Sequence, residues 1–218
     1  MSHLHIPDGV LPVLLWAPGL GLALLLLVLG ARTLRGASPQ RLAYQSALGA
    51  LVLAAMVVEL PLGPLEYHLT LVGPVGVLLG AASVFQVVFV ANAILALVGH
   101  GGLTVVGLNA LVLGAGGALA RPVYVMCARR WGPPAALAMA TAVTQAVSGA
   151  LWLAVMATAL HLQAVGSHRV KLVAGVAFPL YLAGIVIESV VAFGIARFII
   201  RVRPDLFPGG ATRVEEPR

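Results

Sequence analysis

From Gly9 to Ala31 the chain carries no charged residue. A helix that crosses the hydrocarbon of a bilayer needs about 20 such residues. Comparable apolar runs recur near 43–63, 69–82, 83–99, 103–126, 135–160 and 171–200. Charged residues make up only 9% of the 218 and apolar ones 61%, against about 25% and about 45–50% in an average soluble domain. So few charges cannot cover a water-exposed surface. The pattern predicts an all-α, polytopic membrane helical bundle of about seven spans. It argues against a soluble enzyme, a nucleic-acid-binding domain and a disordered chain. The third run is the shortest, and Gly73, Pro74, Gly76 and Gly80 make it read as short, tilted or broken; a re-entrant segment there would leave six spans.

The net charge of +6 has a membrane explanation. With seven spans, Arg32, Arg35, Arg41, Arg121, Arg129, Arg130, Arg197, Arg201, Arg203, Arg213 and Arg218 fall on one side, and only Arg169 and Lys171 on the other. Basic residues favour the cytoplasmic side. The amino terminus is therefore expected outside and the carboxyl terminus inside. No basic stretch precedes the first apolar run, so that run reads as a retained helix rather than a secretory signal. One transmembrane domain is expected over 1–203, with a ligand-bearing segment at 1–9 and a flexible, Pro- and Gly-containing tail at 204–218. The single Cys127 excludes an internal disulfide and a CxxC site; it reads as a structural thiol.

This topology sends all six histidines to the outer side: His3 and His5 before span one, His68 after span two, His100 after span four, His161 and His168 after span six. The last two carry no further argument. The other four suit a late divalent metal, for which imidazole is a common ligand and planar nitrogen sets favour Ni(II) or Cu(II). The chain begins Met1-Ser2-His3-Leu4-His5-Ile6-Pro7-Asp8-Gly9. A terminal amine, the following amides and a nearby imidazole can close small chelate rings around one ion, starting from Met1 or, after trimming, from Ser2. His3 and His5 share a face if the segment is extended. Pro7 disfavours helix, and Asp8-Gly9 favours a turn. The segment can then fold back into the outer mouth, towards His68 and His100.

The run His5-Ile6-Pro7-Asp8-Gly9 before an apolar span resembles the start of the substrate-capture membrane subunit of cobalt and nickel energy-coupling-factor transporters. Glu66-Tyr67-His68-Leu69 sits where that family has its second histidine. Gly101-Gly102-Leu103-Thr104, with Gly107 and Asn109, is similar to its GGLT-x-x-G-x-N stretch. The resemblance implies that the amino terminus plugs the outer face. Terminal amine, next amide, imidazole and the histidine after span two would then form a near-square-planar nitrogen site. Carried over, it nominates His5 and His68, with Asn109 nearby. The family histidine directly follows the initiator, whereas here residues 1–4 precede His5. Three arrangements are open: His3 takes the terminal chelate, both His3 and His5 bind, or translation starts at codon four. His100 stands where the family pattern has an acidic residue, so it adds a ligand or a hydrogen bond. Ser2 and Asp8 complete the candidate set.

The resemblance further implies a multi-pass protein of the cytoplasmic membrane that takes up Ni2+ or Co2+ as cargo, with no resident cofactor. Its expected partners are a membrane coupling subunit, cytoplasmic ATPase subunits and a small accessory membrane subunit. The imported ion would serve cobalamin or nickel-enzyme assembly. No phosphate-binding G-x-x-x-x-G-K-[ST] loop and no H-E-x-x-H motif is present, so ATP hydrolysis is expected elsewhere.

Polar groups inside spans are costly and often functional. Gln86, Asn92 and Gln145 read as interhelical hydrogen-bonders. Glu188 marks either a pathway, a subunit contact or a structural link. Gly19-x-x-x-Ala23 and the cluster from Gly114 to Ala118 permit close helix packing, within the bundle or onto a partner. Two other readings exist: a stand-alone transporter or channel for a small polar solute relying on Glu59 or Glu188, and a membrane metalloenzyme with an outer histidine site.

Overall fold

A computed structural model describes residues 6–62, 65–163 and 167–208. Within them the chain forms helices α1 (Val13–Thr33) and α2 (Pro39–Val57), then strands β1 (Glu59–Leu62) and β2 (Leu65–His68). Helices α3 (Val72–Leu79), α4 (Ala81–Leu97), α5 (Val106–Trp131), α6 (Pro133–Leu162) and α7 (Ser167–Val202) follow, with a 3-10 turn at Pro204–Leu206. Helix α5 is central, packing on α6, α4, α3 and α1, while α7 covers α6 and α2 covers α4. Among the described residues, four helices are long and apolar enough to cross a bilayer: α1, α5, α6 and the Ala177–Val202 part of α7. Their outward rows, such as Leu22, Leu25 and Leu29 on α1 and Val186, Val190 and Phe198 on α7, are exposed leucine, valine and phenylalanine. Lipid solvates such a surface; water does not.

Small residues set the helix spacing inside the bundle. A methyl group on Gly107 would overlap the Leu20 Cα, and one on Gly116 would overlap the Thr144 carbonyl oxygen. Gly114 receives the Phe85 ring, whose Cδ2 would lie 2.5 Å from an added Cβ. Gly19 and Ala23 are buried on the face of α1 turned to α5. The small-residue motifs thus pack within this chain.

Two segments depart from the apolar runs. Helix α2 stops at Val57, because residues 59–62 and 65–68 pair as an antiparallel hairpin with Glu59 opposite His68. Among the described residues the regular structure is thus helical apart from this one hairpin. The third run holds only the eight-residue α3, about 12 Å of helix against a hydrocarbon layer of about 30 Å. Residues 69–71 before it are irregular, and Leu71 takes a left-handed φ of 52° at the junction. Gly80, at φ 83°, turns the chain from α3 into α4. The expectation of a short, broken third segment is met by this short helix, set off by Leu71 and Gly80.

One buried cluster lies where α1, α5 and α7 begin, and includes Ile6, Leu11, Tyr67, Val105, Trp152 and Tyr181. At the opposite end Tyr124, Cys127, Leu137, Ala196 and Phe207 form another. There Phe207 stacks on Tyr124 at 5.4 Å and Arg203 pairs with Asp205 at 2.8 Å. The chain therefore stays on the bundle through Phe207. Residues 209–218 of the expected tail lie outside the described residues.

Candidate metal centre

The segment before α1 is inserted into the bundle. Ile6 is 1% exposed and Leu11 5%. The Asn109 side chain reads the Ile6 backbone twice: Ile6 N–H donates to Oδ1 at 3.0 Å, and Nδ2 donates to the Ile6 carbonyl at 3.2 Å. One amide group thus does what a neighbouring β-strand would do, and satisfies both buried backbone groups.

Asp8 forms a second latch. Its carboxylate accepts the Leu103 and Thr104 N–H groups, each at 2.9 Å, and the Thr104 hydroxyl. These amides sit just ahead of α5, where N–H groups lack intrahelical acceptors and a negative charge is favoured. The Thr104 hydroxyl, helped by the two N–H groups and opposed by slight burial, holds the Asp8 carboxyl below its usual range. A Cβ on Gly102 would lie 2.5 Å from Asp8 N and Oδ1. The GGLT stretch is therefore the receptor for the leader. Gly9 turns the chain at φ 82°, and the Gln163 amide donates to the Val10 carbonyl at 2.8 Å.

His68 ends β2 and is 1% exposed. His100 is held by the end of α4. Gly99 takes φ 86°, its N–H reaches Ala96 O at 3.2 Å, and the His100 N–H reaches Leu95 O at 2.8 Å. This pair of bonds is a Schellman closure, which needs glycine at the left-handed position. The two imidazoles meet edge to face, with centroids 6.4 Å apart and planes at 86°. Sequence-predicted His68, His100, Asn109 and Asp8 thus all belong to one end of the fold. Ser2, His3 and His5 lie outside the described residues. Among the described residues no group of three or more His, Cys, Asp or Glu converges as a metal cage. His161 is exposed at the end of α6, and the His168 side chain is outside the described residues.

Beneath His68 lies a polar layer. Glu188 on α7 is fully buried, and accepts Tyr67 OH at 3.4 Å, the Thr70 N–H, and the Leu71 N–H at 3.2 Å. Gln145 of α6 donates to Thr70 Oγ1 at 2.8 Å. Gln45 and Gln86 join α2 to α4 at 2.8 Å, while Asn92 bonds within α4 to Val88 O. Sequence reasoning missed Ile6, Leu103 and Thr104 as anchors, and Gln163, Tyr67 and Thr70 as supports. The GGLT stretch carried part of that signal, since a glycine beside a receptor loop indicates close backbone approach.

A family model described as the cobalt uptake substrate-specific transmembrane region, CbiM, matches residues 5–206. The chain belongs to this family. It is accordingly a multi-pass membrane protein and a transport component of cobalt uptake. The CbiM match takes in His5, the hairpin with His68, the His100 turn and all seven helices. No curated protein matches the chain.

Proposed function

We propose that this CbiM-family chain captures Co(II) or Ni(II) at the end of the bundle where the leader is seated, and that this end faces outside. The leader is both ligand and lid. Its terminal amine, an amide nitrogen and the imidazole of His3 or His5 join His68, with His100 beside them. One observation carries the reading: Ile6, one residue after His5, is clamped by Asn109 into the buried cluster that also holds Tyr67, one residue before His68. The orientation is supported by Arg32, Arg41, Arg129, Arg130 and Arg201, which flank the opposite ends of α1, α2, α5, α6 and α7.

Nitrogen ligands in a near-planar set suit these late divalent ions. Imidazole and amide nitrogens must lose protons to bind, so capture releases protons and weakens in acid. Uptake is driven by ATP hydrolysis on separate cytoplasmic subunits, coupled through a second membrane subunit. The experiment is a titration of the purified chain with Ni(II) and Co(II), comparing wild type with His3→Ala, His5→Ala and His68→Ala. His68→Ala and at least one leader variant are expected to lose affinity at least about tenfold. Unchanged affinity in all three removes the capture reading.

A further inference from the structure

We propose that Glu188 is the positioning residue for His68: its buried carboxylate grips the chain on both sides of that histidine and so fixes where the imidazole meets the metal. The inference rests on the capture reading above. Tyr67 precedes His68 and Thr70 follows it by two residues; both bond to Glu188 Oε1, while Leu71 bonds to Oε2. All three partners are donors, and only a carboxylate offers two acceptor oxygens and no donor. A glutamine here would turn an N–H group towards a backbone N–H.

The start of α3 makes that acceptor necessary. Its N-cap is Leu71, left-handed and without a side-chain oxygen, and the Val72 N–H that opens the helix goes to Thr70 Oγ1 at 3.4 Å. The Thr70 and Leu71 N–H groups just before the helix are buried and need another acceptor, and Glu188 supplies it from more than a hundred residues away. The link continues sideways, because Thr70 Oγ1 accepts the Gln145 amide at 2.8 Å. The Tyr67 ring is fixed from α7 as well: a Cβ on Gly184 would lie 2.5 Å from its Cε2. A buried carboxylate is costly and is commonly replaceable by apolar packing where only stability matters. Here its geometry serves the strand that presents His68, and supports behind a metal-binding imidazole tune the site.

The test uses the full chain in detergent, with Ni(II) affinity, the absorption spectrum of bound Ni(II) and thermal unfolding measured on Glu188→Gln, Tyr67→Phe and Gln86→Leu. Gln86→Leu breaks the α2–α4 bond, remote from His68 in the sequence and in the hydrogen-bond network. Glu188→Gln is expected to lose affinity about ten- to hundredfold and to shift the Ni(II) bands. Tyr67→Phe shows a smaller change of the same kind. Gln86→Leu lowers thermal stability but keeps wild-type affinity and spectrum. A folded Glu188→Gln with wild-type affinity and spectrum overturns the proposal. So does an equal affinity loss in Gln86→Leu, which would mean general loosening. If Glu188→Gln does not fold, Tyr67→Phe decides, and wild-type behaviour there overturns it. Wild-type binding by His68→Ala would instead sink the capture reading itself.

Discussion

Replacing Asn109 with alanine should unseat the leader while leaving the bundle folded. The substitution strips both bonds that Ile6 makes to that side chain, at its N–H and its C=O, and Ile6 is 1% exposed. Each buried backbone group left without a partner costs about 1–3 kcal/mol. The chain can avoid this by letting the leader go into water. That uncovers Ile6 and Leu11, each worth about 1.5–3 kcal/mol of burial. The two routes cost similar amounts, so the leader should divide about evenly between seated and released states. Apparent affinity falls with the fraction of molecules in the competent state, so Ni(II) and Co(II) affinity should drop about twofold while the released half exposes Leu11. Helix α5 should not suffer, because alanine is the better helix former. The assay pairs metal calorimetry with maleimide labelling of Leu11→Cys in a Cys127→Ala background. Labelling should be slow in that parent and fast once Asn109→Ala is added, with thermal unfolding of the bundle nearly unchanged. Wild-type affinity together with slow labelling would refute the reasoning.

Gly107→Ala should act on the fold instead, since its methyl would overlap the Leu20 backbone, which cannot rotate away. A loss of about 1–3 kcal/mol is expected, read as a fall in the detergent unfolding temperature; Gly194→Ala, with nothing within 4 Å of the added Cβ, should be neutral or stabilising. The Asp8 latch sets a pH dependence. Its carboxyl is lowered in the folded protein, so the latch contributes fully above the ordinary carboxylate range, near about 4, and is lost as pH falls through the lowered folded value. Because thiolate is the reacting form and its fraction falls in acid, labelling is read relative to a fully exposed cysteine at the same pH; on that scale Leu11→Cys should stay protected from neutral pH to about 4 and lose protection below it, while Asp8→Asn should be less protected at neutral pH and show no acid step. Metal affinity should fail at higher pH than the latch does, because imidazole ligands take up protons nearer neutrality.

The helices were legible because a bilayer-crossing segment writes itself into composition: runs without charge at 9–31, 135–160 and elsewhere became α1, α6 and their neighbours. The weak third segment was legible too, since Gly73, Pro74, Gly76 and Gly80 crowd a short run. What replaced a full helix there was not. The glycines of α3 serve close approach, with a Cβ on Gly73 only 2.7 Å from the Thr141 Cα, and such an approach depends on a partner remote in sequence. The hairpin at 59–68 was also hidden, because two four-residue strands inside an apolar run have no period of their own. His68, His100, Asp8 and Asn109 could be nominated from residue type and spacing, yet their roles differ. Asp8 and Asn109 hold the leader in place, and Glu188, read between pathway, subunit contact and structural link, holds the Thr70 and Leu71 N–H groups just before α3.

The sequence by itself determined that this chain must live among lipids and which end carries the positive charge, and it nominated histidines at the other end as metal ligands. These are local properties, fixed by hydrophobicity, charge and the donor atoms of single side chains. Only the tertiary structure decided that Asn109 substitutes for a β-strand beside Ile6, that Asp8 latches onto the Leu103 and Thr104 N–H groups ahead of α5, and that a glutamate on α7 holds the strand of His68. Each is a hydrogen bond between a backbone group and a side chain distant along the chain. Its existence depends on the packing that brings them within 3 Å or so, and no window of residues contains both halves.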